Sequence, residues 1–152
     1  MRDDKGFTVL ESLIALMIVG IGLAIIVPGF VVARDHALLD VSIWQIVSDL
    51  RTQQMTAEKK QYYQEIRFPL IGNVYYLYDS TTHSYAGRLI EPPIAYFEGI
   101  LHLPQTTVRF APSGNVNESG QVIMKDPEGL IRNAVLYMQY GDIRVATYPI
   151  VN

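Results

Sequence analysis

The chain opens Met1-Arg2-Asp3-Asp4-Lys5-Gly6-Phe7-Thr8-Val9-Leu10-Glu11-Ser12, and no further charge appears until Arg34. A helix needs about 20 apolar residues to cross a bilayer, and residues 13–33 meet that length. Arg2 and Lys5 precede the run, which favours a cytoplasmic N-terminal side, although Asp3 and Asp4 weaken the bias. Pro28 lies inside the run, where it removes one helix hydrogen bond and crowds the preceding turn. Such kinks are tolerated in transmembrane helices. Gly20, Gly22 and Gly29 lower helix propensity or let another helix approach closely. Gly20 and Gly22 lack the four-residue spacing of a small-residue dimer motif.

Three readings account for this opening. The simplest is a signal anchor that holds a head outside the membrane. The second is a cleaved secretory signal, with Val31 and Ala33 at the small-residue positions and Pro28-Gly29 breaking the helix before them. The apolar run is longer than the about 7–15 residues of an ordinary signal core. Glu11 separates these readings, because a carboxylate at the rim of an apolar run is costly in lipid and marks function. Neither an anchor nor a signal peptide has a use for it.

The register Lys5-Gly6-Phe7-Thr8-Val9-Leu10-Glu11 resembles the cleavage and methylation motif of type IV prepilins. That resemblance implies removal of residues 1–6 by the prepilin peptidase, which cuts after Gly6 and methylates the amine of Phe7. Glu11 then takes the fifth mature position and Pro28 the position of the helix-interrupting proline of that family. A free Phe7 amine in one subunit can pair with Glu11 of its neighbour, so that each offsets the other's desolvation. The resemblance also implies other pilin or pseudopilin subunits and an inner-membrane assembly platform as partners. It implies a single membrane pass with the head outside the cytoplasm, and a place at the cell surface or in the periplasm after assembly.

Of the 152 residues, 49 % are hydrophobic and 18 % charged, values that describe one greasy segment joined to an ordinary head. Beyond residue 33 the pattern becomes amphipathic. Leu39, Ile43, Val47, Leu50 and Ala57 recur at helical spacing, with Asp40, Ser48, Asp49, Arg51, Gln53 and Lys60 mostly on other faces. This predicts one helix from about Phe7 to about Lys60, roughly 80 Å at 1.5 Å per residue. The fold class expected is α+β, a pilin-like lollipop with the helix packed on an antiparallel β-sheet head. Its expected parts are a leader at 1–6, a transmembrane half at 7–33, an amphipathic half at 34–60 and a β-rich head at 61–152.

Strands are expected at 64–68, 74–78, 88–90, 94–97, 107–111, 121–125, 133–139 and 142–147. Turns are expected at Gly72-Asn73, Pro112-Ser113-Gly114, Asp126-Pro127-Glu128-Gly129 and Tyr140-Gly141, with Pro92-Pro93 favouring an edge or bend. All 10 tyrosines follow residue 60, so aromatic burial is expected to supply much of the core. There is no cysteine, which excludes disulfides and thiolate metal sites.

The head carries a second resemblance. Residues 108–114, 120–124 and 136–145 follow one another as in the minor pseudopilins of the secretion-pathway H type. They are also similar to the D-type minor pilin of Gram-positive competence systems. This implies a minor subunit of a type IV pilus-like filament, for DNA uptake in competence or for type II secretion.

Enzyme chemistry finds no support. His36, His83 and His102 share no ligand spacing, and Ser113 and Ser119 lack the context of a nucleophile elbow. Asn115, Asn117, Glu118, Asp126 and Glu128 bear oxygens, but their spacing fits no calcium loop and reads as solvated turns. No phosphate loop or paired-carboxylate constellation is present, so no cofactor or metal is expected. A net charge of -3 offers nucleic acid no electrostatic footprint. Arg109, Lys125, Arg132 and Arg144 are dispersed among acids, so direct DNA contact is the weaker expectation.

Overall fold

A computed structural model describes residues 8–69, 72–101, 106–117, 119–137 and 142–146. Among the described residues one helix and eight strands are found, and the chain divides into two compact units, Met1–Arg34 and Asp35–Asn152. The helix α1 runs Val9–Lys60, 52 residues with Pro28 inside it. The expectation of one helix extending to about Lys60 therefore holds.

In the first unit the large apolar side chains of α1, from Val9 to Val31, are exposed. Nothing lies within van der Waals reach of a side chain added at Gly20, Gly22 or Gly29. The second unit begins where helix residues become buried. Asp35, Leu39, Ser42, Ile43, Ile46, Val47, Leu50 and Ala57 are all covered. Five of these carry the stripe read from the sequence; Ile46 completes it between Ile43 and Leu50.

The strands are β1 (Gln64–Arg67), β2 (Val74–Asp79), β3 (Ser84–Leu89), β4 (Ala95–Leu101), β5 (Thr107–Phe110), β6 (Gly120–Lys125), β7 (Ile131–Tyr137) and β8 (Asp142–Ala146). They form two four-stranded antiparallel sheets, ordered β3-β2-β1-β5 and β4-β6-β7-β8. The connection holding Pro92 and Pro93 joins β3 to β4, an edge strand of each sheet. In the last pair Tyr137 faces Asp142; the expected Tyr140-Gly141 turn lies outside the described residues.

The core of the second unit joins the buried helix stripe to Ile66, Phe68, Tyr75, Val108, Phe110, Val122, Met124, Ala134, Leu136 and Ile143. Phe68 stacks on Tyr75 at 5.6 Å and meets Tyr96 edge-on at 6.2 Å. The tyrosines only partly follow expectation. Tyr75 is fully buried, whereas Tyr62, Tyr63, Tyr76, Tyr85 and Tyr137 are exposed. Aliphatic residues of α1 occupy the space that aromatic burial was expected to fill.

Polar contacts tie the helix to both sheets. Tyr75 donates its hydroxyl proton to Asp49 Oδ2 at 2.6 Å, and Arg88 reaches the same oxygen at 3.4 Å. On the other sheet Arg132 pairs with Asp40 at 2.8 Å, and Arg51 donates to the Ile143 carbonyl at 3.2 Å. Gln54 donates to the Gly114 carbonyl at 2.9 Å. Gly114 has φ 78°, and a Cβ there would overlap the Glu58 carboxylate, so the turn requires glycine.

Candidate functional site

The site singled out by the sequence lies at the start of α1. Gly6 and Phe7 fall outside the described residues, and the site is built from Thr8 onward. Thr8 caps the helix: its Oγ1 accepts the Glu11 N–H at 3.2 Å, and its carbonyl accepts the Ser12 N–H at 3.2 Å. Glu11 is thus the third helical residue after a threonine cap, the spacing of a capping box. Thr8-Val9-Leu10-Glu11 carries this cap signal in addition to the intersubunit role expected of Glu11. An acid in the first turn also complements the positive end of the helix dipole.

Glu11 is exposed, and so are the apolar neighbours Val9, Leu10, Leu13 and Ile14. Among the described residues α1 is the one helix long and apolar enough to cross a membrane, and none of its most apolar window is buried. Exposed apolar surface on this scale marks contact with lipid or with another protein. Pro28 sits on this exposed stretch.

Residues 1–27 match the family model of the prokaryotic N-terminal methylation motif. That match covers Gly6, Phe7, Glu11 and most of the apolar run. It supports a type IV pilin or pseudopilin reading, points to a structural subunit, and implies processing by prepilin peptidase and assembly with other pilins. No curated protein and no solved structure matches the chain.

The head's charged residues sort differently from their appearance in sequence. Glu65, on β1, is buried and pairs with Arg109 at 2.5 Å and Arg67 at 3.2 Å. Register places Glu65 opposite Arg109 on β5 and Tyr78 on β2. Arg67 lies over Tyr85 at 5.1 Å and Arg109 over Tyr63 at 5.1 Å, and Tyr78 and Tyr85 rings meet at 4.7 Å. Exposed tyrosines thus cover a buried acid together with two arginines. Arg132 and Arg144 also face carboxylates, Asp40 and Asp142.

Of the three histidines, His102 lies outside the described residues. His83 Nδ1 lies 3.1 Å from the Tyr78 hydroxyl. His36 differs, because the fold brings it beside Asp126 and Glu128. Asp126 was read as a solvated turn residue, yet it is buried. Sequence spacing had no means of showing this, since His36 and Asp126 are 90 positions apart.

Proposed function

We propose that this chain is a minor pilin or pseudopilin, a non-enzymatic subunit of a type IV pilus-like filament. The observation that carries this reading is the methylation motif at residues 1–27 set on a helix whose apolar surface is unburied. Residues 1–6 form the leader, cut after Gly6 by the prepilin peptidase, and Phe7 becomes the methylated terminus. Residues 7–33 form the anchoring and assembly half of the helix, 34–60 its amphipathic half and 61–152 the head. The same exposed apolar surface serves in lipid before assembly and against neighbouring subunits after it.

Glu11 registers each subunit. In an apolar setting its carboxylate needs a partner, and the Phe7 amine of an adjacent subunit supplies one within reach of lipid-buried helices. Pro28 is the position at which the helix adjusts on assembly. The partners are the prepilin peptidase, other pilin or pseudopilin subunits and the inner-membrane assembly platform. The subunit is anchored by a single pass, head outside the cytoplasm, and stands at the cell surface or in the periplasm once assembled. The assignment to DNA uptake in competence rests on the head's resemblance to D-type minor pilins; a type II secretion pseudopilus is the alternative.

The test is the mass and N-terminal sequence of the mature protein. A methylated Phe7 terminus supports the reading. A terminus at Arg34 indicates a secreted protein, and an intact Met1 indicates a plain anchor; either result overturns it.

A further inference from the structure

Asp126 follows β6 and opens the turn to β7, and almost all of its polar atoms are committed there. Its N–H donates to the Leu130 carbonyl at 3.1 Å, its carbonyl accepts the Gly129 N–H at 3.2 Å, and its Oδ1 accepts the Leu130 N–H at 2.7 Å. These bonds fix the carboxylate and leave Oδ2 over. The side chain is fully buried, and Oδ2 has no hydrogen-bond partner. It faces His36 Nε2 on α1 at 3.4 Å. Glu128, exposed at the tip of the same turn, completes a trio whose ligand atoms lie within 4.8 Å of one another.

A buried carboxylate oxygen without a hydrogen-bond donor costs stability. A cation between Oδ2 and Nε2 removes that cost. The distance suits two ligands of one cation, and the imidazole among them selects its class. Two ligands held at 2.0–2.1 Å from a tetrahedral zinc ion stand about 3.4 Å apart, the separation of His36 Nε2 and Asp126 Oδ2. Calcium and magnesium take oxygen ligands in larger shells, whereas imidazole with carboxylates suits zinc and its transition-metal neighbours.

We propose that His36, Asp126 and Glu128 bind a divalent cation of the zinc class, clamping α1 to the β6–β7 turn. The buried Asp126 oxygen is the fixed ligand. His36, with its side chain 42 % exposed, and the exposed Glu128 close onto the ion from the surface. The fourth position is left to water or to a donor from another molecule. The site lies in the second unit and does not depend on the pilin-like reading; a failed metal test leaves the N-terminal assignment untouched.

The experiment titrates Zn2+ into the full-length protein in detergent, after treatment with chelator, and follows binding by calorimetry and heat unfolding of the head. The wild type is expected to bind Zn2+ with a Tm rise of about 10 °C at a hundredfold excess over Kd. His36→Gln and Asp126→Asn are expected to weaken binding about tenfold or more. Glu128→Gln weakens it less, and His83→Gln leaves it unchanged. Asparagine at 126 retains the oxygen that accepts the Leu130 N–H. If that variant nevertheless fails to fold, the exposed His36 and Glu128 variants decide the question. The proposal is overturned if the wild type shows no binding, if every variant binds equally, or if Ca2+ or Mg2+ binds as tightly as Zn2+.

Discussion

At the scale of single residues, Glu11 has two roles that one substitution confuses. Thr8 caps α1 by accepting the Glu11 backbone N–H, Glu11 stands at the capping-box position, and the proposed registration needs the carboxylate's charge. Glutamine satisfies a capping box as glutamate does but brings no charge to a neighbour's amine. Glu11→Gln is therefore expected to be processed normally yet to stay out of the filament, and Glu11→Ala is expected to do the same. Filament incorporation of the glutamine variant at wild-type levels would reduce Glu11 to a capping residue. Tyr75 offers a second test at this scale. Burial pushes its hydroxyl well above the ordinary 10.0, and donation to Asp49 pushes it further. Tyr96 is raised as well, by burial. Both folded values exceed the unfolded one, so their contribution to stability is complete below pH 10 and declines as pH rises past it. Two tyrosines should stay unionised in phenolate absorbance until the head unfolds in alkali. Tyr75→Phe should cost about 1–3 kcal/mol in urea unfolding, since Asp49 then loses a buried donor.

At the scale of elements, the amphipathic half of α1 was legible because its signal is local. Leu39, Ile43, Val47 and Leu50 declare a face through their spacing alone, and all four are buried. The strands were legible where apolar residues alternate, as in β2, but β3 was seen only at its end. Ala86 and Gly87 carry little strand signal and are exposed; β3 is an edge strand held by its pairing with β2. The division into two sheets was not legible. It depends on β5 pairing with β1 across the three strands that intervene in sequence, and β-order of this kind is set by long-range contacts. The buried face of α1 makes a quantitative expectation. Leu50→Ala should destabilise the head by about 2–5 kcal/mol, because Leu50 is fully buried in the shared core. Trp44, six residues earlier and 56 % exposed, should tolerate alanine within about 0.5 kcal/mol. Equal losses at the two positions in chemical unfolding would mean that the wrong face had been assigned.

At the scale of the whole molecule, the two units have opposite solvent requirements along one continuous helix. Every helix residue that the fold buries lies at or beyond Asp35, and the unburied apolar side chains cluster before it. Cooperative folding of the head therefore draws on residues 35–152, which hold all eight strands and the buried stripe of α1. The apolar residues 9–33 add exposed surface that water does not tolerate at this extent. The N-terminal composition made this division readable, since charge disappears after Glu11 and returns at Arg34. A chain starting at residue 35 is expected to be monomeric in plain buffer and to unfold in a single transition, whereas the full chain should require detergent or lipid. Ultracentrifugation of the two proteins decides the matter. A full chain that remains monomeric without detergent would show that its apolar surface is covered by the head, and the membrane and filament roles given to it would fail together.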